Sequence, residues 1–351
     1  MSYAKKYIQV LTPYCPPIDN RRKYGGILLD FNERTVPACK AVRDALATFA
    51  RRGKFNVYPE YMDLPKKIAT YAGANEESLM ITNGVDQGID LIFRTFSGEG
   101  DKVIIPSPSF AMFYQCAGTV GNQILQPAYG SNGEFPFEEV MSLIDDEVRV
   151  IVICNPNNPT GTLVPLKQIE QIAKKAKSSV VLVDEAYAEF SGLFATQLLK
   201  DNPNIVITRT FSKSFGLAAF RIGYILTSKE NICELEKVRG AYDVNVPACM
   251  VVEAALENVK EMKNYVDEVM NKSKPMLEEF FTKNGIRFLP SKSNFIAFQV
   301  NNARELAEKL DANGFRLRPQ KSPLLINFLR VSIGTVKQTK QFIKAFKKLY
   351  L

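Results

Sequence analysis

Lys213 stands in the stretch IVITRTFSKSFGLAAFRIG, residues 205–223, with hydroxyls nearby at Thr210 and Ser212 and a guanidinium at Arg221. The side chains flanking the lysine are largely apolar, and burial among them lowers an ammonium's pKa and exposes a nucleophilic amine. The two hydroxyls and the planar fork of Arg221 suit a phosphate group. Asp184 follows the apolar run VVLV and opens the segment DEAYAEF. A carboxylate at the end of a buried strand needs a partner or becomes neutral, and a cationic nitrogen on a ligand would serve. A third polar cluster, NPNNPTG, fills 155–161. Gly84-Val85-Asp86 lies where a helix is expected to begin, and free backbone N–H groups at such a start can hold phosphate. Taken singly, each polar cluster is a plain strand exit. Taken together they ask for an aldehyde, a pyridinium nitrogen and a phosphate, which pyridoxal 5′-phosphate combines in one molecule.

Strands of near-continuous Val and Ile alternate with helical segments between about 56 and 245. LMIT (79–82), the start of DKVIIPSPSF, VRVIVIC, SVVLVD, Asn204–Thr210 and Arg221–Thr227 read as strands. NGVDQGIDLIFRTF and LKQIEQIAKKAK read as helices. The pattern predicts an α/β fold with a mostly parallel sheet and helices on both faces, in which ligands bind outside the carboxyl ends of the strands. The three polar clusters fall at such ends. One long helical stretch is expected from about Ala248 to Asn284. Beyond it, IRFLPSKSNFIAFQV and FLRVSIG read as short strands around a helix at Ala303–Asn313. The last helix carries Phe342, Phe346 and Leu349 on one face. The expected organisation is a large cofactor-binding domain over 46–247 and a small α+β domain built from 1–45 and 248–351.

Composition removes several classes of chemistry. The 351 residues include no histidine, so neither a Ser-His-Asp nor a Cys-His arrangement can form. The six cysteines are scattered with no CxxC pair, which speaks against a zinc site or a disulfide framework. The formal charge of +8 is spread along the chain without basic clusters interleaved with aromatics, so no nucleic-acid partner is expected. The excess suits an anionic small ligand. No apolar run reaches the length of a membrane span and no signal peptide is apparent, so a cytoplasmic location is expected. Neither GxxxxGK[ST] nor GxGxxG occurs.

On these motifs the sequence resembles the fold type I pyridoxal phosphate enzymes, and within them the histidinol-phosphate aminotransferases. The likeness runs through LTPY (11–14), DFNE (30–33), YPE (58–60), NPNNPTG, DEAYAEF, TFSKSFGLAAFRIG and LRVSIGT (329–335). It implies an aspartate aminotransferase-like fold and a transaminase. It would make Lys213 the lysine bonded to the cofactor aldehyde and Asp184 the partner of the pyridine nitrogen. Asn158 and Tyr187 would bind the phenolate oxygen. Phe110 would stack on the ring, where the family more often has tyrosine. Thr210, Ser212, Arg221 and the amides around Gly84, Val85 and Asp86 would hold the phosphate. Tyr58 would reach the cofactor of a neighbouring subunit, which implies a homodimer with shared sites.

For the substrate, the resemblance makes Arg330 the clamp for an α-carboxylate and Arg318 the contact for a substrate phosphate, with Arg316 as its alternative. Tyr14 and Asn32 line up with the same pocket. The implied reaction moves an amino group between a small amine or amino acid, phosphorylated as histidinol phosphate is, and a 2-oxo acid. Aromatic or general amino acid transamination, and decarboxylation of a threonine phosphate-like substrate, share most of these residues and stay open on sequence.

Overall fold

The structure is a computed structural model and describes residues 2–351. Twelve strands occur among the described residues. β1 (Ile27–Leu28) lies near the N-terminus. Then follow β2 (Leu79–Thr82), β3 (Lys102–Ile104), β4 (Gln123–Leu125), β5 (Val148–Cys154), β6 (Val180–Asp184), β7 (Ile205–Thr210) and β8 (Gly223–Leu226). The C-terminal part adds β9 (Phe295–Gln299), β10 (Phe315–Arg316), β11 (Arg318–Pro319) and β12 (Phe328–Ser332).

Strands β2 to β8 form a seven-stranded sheet in the order β2-β8-β7-β6-β5-β3-β4. All pairs are parallel except those of β8, which runs antiparallel to both β2 and β7. The mostly parallel sheet is as expected. A strand buried on both faces has no polar side to alternate, which is why VRVIVIC and VVLV are almost wholly apolar. Successive side chains still point to opposite faces. Ile151, Ile153, Val181, Val183, Ile205 and Ile207 pack in one apolar layer, with helices Leu64–Ala72, Leu166–Lys175 and Val246–Leu256. Val150, Val152, Leu182 and Val206 pack in the other, with helices Gly84–Phe96, Ala111–Val120 and Lys229–Val238. This alternation decides which polar groups share a face at the carboxyl ends of β5, β6 and β7.

A smaller apolar core is built from Phe280, Phe281, Phe298, Phe342 and Phe346 around the antiparallel sheet β11-β12-β9. β1 pairs in parallel with β10, so the N-terminal segment closes against the C-terminal one. Phe342 and Phe346 are buried, and Leu349 packs at the margin of the same core.

Three local expectations change. The strand predicted at Arg221–Thr227 starts only at Gly223, because Arg221 adopts a left-handed backbone with φ 53° that cannot continue a strand. The long helix predicted over 248–284 is broken at Glu257–Asn258. It then widens into a π-turn at Val269–Ser273 ahead of the helix Lys274–Lys283. Pro275 stands in the first turn of that last helix; it lacks the N–H that would bond back to residue 271, and its ring needs extra room there. Finally, the run IRFLPSK contributes only a single bridge, Phe288 to Phe298, in place of a strand. No helix among the described residues is long and apolar enough to cross a membrane.

Candidate active site

The carboxyl ends of β5, β6 and β7 face a cleft of about 510 Å³, closed on its far side by residues of β11 and β12. Asp184 ends β6, lines this cleft and is only 2% exposed. Its Oδ1 accepts from Thr208 Oγ1 at 3.0 Å and from the Ala186 amide at 3.2 Å. Burial raises its pKa to about 6, although both bonds pull the other way. No cation pairs with it among the described residues. The next residue, Glu185, turns to the opposite face, where its Oε2 accepts from Arg209 Nε at 2.7 Å.

Lys213 lies three residues beyond β7 and also lines the cleft. Its Nζ donates to the Phe31 carbonyl at 2.8 Å and stands 5.7 Å from the centroid of the Tyr187 ring. Burial lowers its pKa to about 8; Arg330 and Arg221 add to the fall, while Glu33 and Asp86 oppose it. The Tyr187 hydroxyl accepts from Asn32 Nδ2 at 3.1 Å and from Asn158 Nδ2 at 3.3 Å. Phe110, the residue just before the helix Ala111–Val120, lines the cleft and packs edge-on against Phe113.

At one end of the cleft the helix Gly84–Phe96 begins, and Val85 and Asp86 line the wall there. Two glycines permit this approach. A Cβ at Gly84, where φ is 75°, would come within 2.6 Å of Arg221 Nη2. A Cβ at Gly223 would meet Arg209 O at 2.7 Å and Val85 N at 3.0 Å. Arg221 Nη2 donates to Asp86 Oδ2 at 2.9 Å, and Thr210 and Ser212 stand beside it on the lining.

At the other end, Arg330 of β12 is the register partner of Arg318 of β11. Directly opposed residues of an antiparallel pair project from the same face, and both arginines line the cleft. Arg330 donates to the Asp30 carbonyl at 2.6 Å and to Asn158 Oδ1, while its buried Nε has no partner. Burial lowers its pKa. Neither arginine has a carboxylate partner among the described residues; Arg316, by contrast, pairs with Asp311 at 2.9 Å and lies over the Tyr24 ring, off the cleft lining. Tyr14 lines the cleft and is 40% exposed.

The sequence model of the family described as aminotransferase class I and II matches residues 25–346. The chain belongs to this family. A histidinol-phosphate aminotransferase of Ruminiclostridium cellulolyticum is 31% identical over 332 residues, covering 93% of this chain and 92% of that one. A dihydroxyacetone phosphate transaminase of Campylobacter jejuni is 33% identical over 345 residues, covering 95% and 94%. The solved structure of histidinol-phosphate aminotransferase from Sinorhizobium meliloti in complex with pyridoxal 5′-phosphate superposes with a TM-score of 0.89 at 23% identity, covering 99% of this chain and 98% of that one, and shares the fold.

The aminotransferase is a fold type I, pyridoxal phosphate-dependent transaminase. Its own residues fit that cofactor. A buried carboxylate without a counter-ion, a lysine of lowered pKa and a helix start held close to two hydroxyls and an arginine stand around one cleft. Of the residues singled out from sequence, four do not line it: Arg316, described above, and Asn32, Gly84 and Tyr58. Asn32 is fully buried and touches the cleft only through Tyr187. Gly84 sits behind Arg221. Tyr58 lies on the surface, stacked on Tyr242 with ring centroids 4.3 Å apart.

Several lining residues of the aminotransferase escaped sequence reasoning. Phe31 and Glu33 lie within the quoted DFNE motif, and Glu33 is held with Asp30 by Arg21. An acid beside Asn32 was the available signal. Ser109 and Met112 flank Phe110, and Lys321 follows Arg318 by three residues. Thr208, behind Asp184, was hidden because a threonine inside a strand looks like an ordinary β-former.

Proposed function

We propose that this aminotransferase transfers an amino group between a small phosphorylated substrate, of the histidinol phosphate kind, and a 2-oxo acid. The observation that carries this reading is the Arg318–Arg330 register pair. Two guanidiniums share one face of the cleft with no acid to neutralise them, and one keeps a buried N–H without an acceptor. A buried charge needs a partner, and the chain gives buried Arg330 no acid, which leaves that place to a ligand. Bidentate recognition of carboxylate and phosphate is what the guanidinium fork does well. The relatives named for histidinol phosphate and for dihydroxyacetone phosphate both act on phosphorylated compounds, which agrees with the pair.

Bound pyridoxal phosphate supplies an electrophilic aldehyde and a ring that takes up the electron pair of a broken Cα–H bond. In our reading Lys213 anchors it, and the phosphate end rests on Thr210, Ser212, Arg221 and the amides of Val85 and Asp86. Asp184 holds the proton on the pyridine nitrogen. Asn158 and Tyr187 bind the ring oxygen and Phe110 covers one ring face. Lys213 Nζ, whose pKa burial lowers to about 8, acts in its uncharged form: it removes the proton at the substrate Cα and redelivers a proton when the amine returns. Arg330 fixes the carboxylate of the amino acid or 2-oxo acid, and with it the bond that is broken. Arg318, with Tyr14 beside it, binds the substrate phosphate. Asn32 acts by steadying the Tyr187 hydroxyl. Histidinol phosphate has no carboxylate, so the two arginines serve different ends in the two half-reactions.

We also infer a homodimer. Tyr58 and Tyr242 stack on each other at the surface, and Phe55, Val57 and Met62, near Tyr58 in the chain, are likewise more than half exposed, an apolar surface suited to a second copy. Sedimentation tests it, and a monomer at micromolar concentration would refute it. The substrate is tested by steady-state rates for histidinol phosphate against histidinol, with dihydroxyacetone phosphate, phenylalanine, tyrosine, glutamate and phosphothreonine alongside. Preference for phosphorylated compounds by tenfold or more in kcat/KM is expected. Equal turnover of the aromatic amino acids, or release of CO₂ from phosphothreonine, would overturn the proposal.

A further inference from the structure

Cys154, Asp184 and Thr208 form one row across the carboxyl ends of three neighbouring strands. Cys154 is the register partner of Asp184 in the β5–β6 ladder, and Asp184 is the partner of Thr208 in the β6–β7 ladder. Partners in register project from the same face of a sheet, so the carboxylate is flanked on both sides by side chains able to donate a hydrogen bond. The two sides are unequal. Oδ1 receives a hydroxyl at 3.0 Å from Thr208 and the Ala186 amide at 3.2 Å. Oδ2 has only the Cys154 thiol, at 3.7 Å. That thiol has a nearer acceptor in the Pro156 carbonyl, at 3.5 Å. Burial holds the Cys154 thiol protonated. It is therefore a weak donor that does not compete strongly for Oδ2.

We propose that Thr208 and Cys154 are positioning residues which divide the two oxygens of Asp184, Thr208 fixing Oδ1 and Cys154 leaving Oδ2 free for the pyridine nitrogen of the cofactor. This rests on the cofactor reading above. Thr208 does two things at once. It stops rotation of the carboxylate, and it favours the ionised form, which burial alone disfavours. Cys154 matters for what it is not. A hydroxyl there would be a strong donor aimed at the oxygen that has to face the cofactor.

The test is a titration of the cofactor-free full chain with pyridoxal phosphate, followed by absorbance and repeated across pH. A parallel titration uses the analogue in which the ring nitrogen is replaced by C–H. Thr208→Val keeps the shape of the side chain and removes the donor. It is expected to weaken binding of pyridoxal phosphate about tenfold and to shift the pH at which the bound absorbance band changes. Thr208→Ser is expected to restore both. Against the carbon analogue, wild type and Thr208→Val should bind alike, because no ring nitrogen is there to be served; a packing defect would weaken both ligands equally. Cys154→Ala should leave binding within twofold, while Cys154→Ser should weaken it several-fold. The proposal is overturned if Thr208→Val lowers affinity equally for both ligands or for neither. It also fails if serine at 154 is no worse than alanine, a comparison that remains should Thr208→Val not fold. Failure of wild type to bind pyridoxal phosphate at all would instead strike the cofactor reading.

Discussion

Asp184 and Glu185 are consecutive buried carboxylates with opposite fates. On the back of the sheet Glu185 is paired with Arg209, which is 2% exposed, and Thr196 Oγ1 accepts a further bond from the same guanidinium. Burial pulls the pKa of Arg209 down, but Glu185 and Tyr224 outweigh it and hold the guanidinium firmly protonated. On the front, Asp184 has hydrogen bonds but no counter-ion, and Arg330 across the cleft has hydrogen bonds but no acid. Charges that serve the fold are neutralised inside the chain. Charges left open on the other face cost stability and are free to be completed by a ligand. A buried group without its partner is therefore a better pointer to function than a buried ion pair.

That contrast can be broken by mutation. Lys213→Ala, at the centre of the open face, should lower kcat by about 10⁴-fold or more with little change in folding, since both the anchor and the base are lost. Full turnover by this variant in steady-state assays would remove the basis of the mechanism. Arg209→Met, on the closed face, should cost roughly 3–5 kcal/mol in urea unfolding, because it strands a buried carboxylate. Adding Glu185→Leu should recover most of that loss. Arg330→Gln should do the reverse of Arg209→Met. Stability should stay within about 1 kcal/mol, while kcat/KM falls by about 10²-fold through loss of a charge-assisted contact to substrate. If Arg330→Gln unfolds the protein as readily as Arg209→Met, the division between closed and open faces fails.

The open carboxylate also makes stability depend on pH. Burial lifts the Asp184 pKa to about 6 in the folded chain, above its ordinary value of 3.8. Between these values the folded state holds a proton that the unfolded chain has released. This group therefore adds stability to the cofactor-free protein as pH falls from about 6 towards 4, and withdraws it as pH rises through 6. Asp184→Asn should stabilise the cofactor-free chain at pH 8 by roughly 2–3 kcal/mol in urea, an advantage that shrinks below pH 6. Loss of stability in Asp184→Asn at pH 8 would mean that the carboxylate is not an open charge.

Much of the sheet could be read along the chain, because strands buried on both faces must be continuously apolar and LMIT, VRVIVIC and VVLV announce themselves. The cleft residues at strand ends were legible for the same reason: Asp184, Asn158, Thr210 and Lys213 interrupt or follow those runs. The resemblance favoured Arg318 and left Arg316 as its alternative. Their fates differ because Arg318 stands opposite Arg330 in the β11–β12 ladder, whereas Arg316 lies in β10 and pairs with Asp311. Glu33 could not be weighed either, since its contact with Arg21 spans a turn whose path no local pattern specifies.

The alternation of strand and helix, the polar breaks at strand ends and the absence of any histidine-based chemistry are written in the chain itself. These depend on neighbours along the chain and on the side chains available. Packing in three dimensions was needed to see that Glu185 is neutralised behind the cleft, that Thr208 and Cys154 flank the Asp184 carboxylate, and that Arg330 keeps no acid of its own. Such partnerships are set by register between strands distant in sequence, and register is a property of the packed sheet rather than of any one strand.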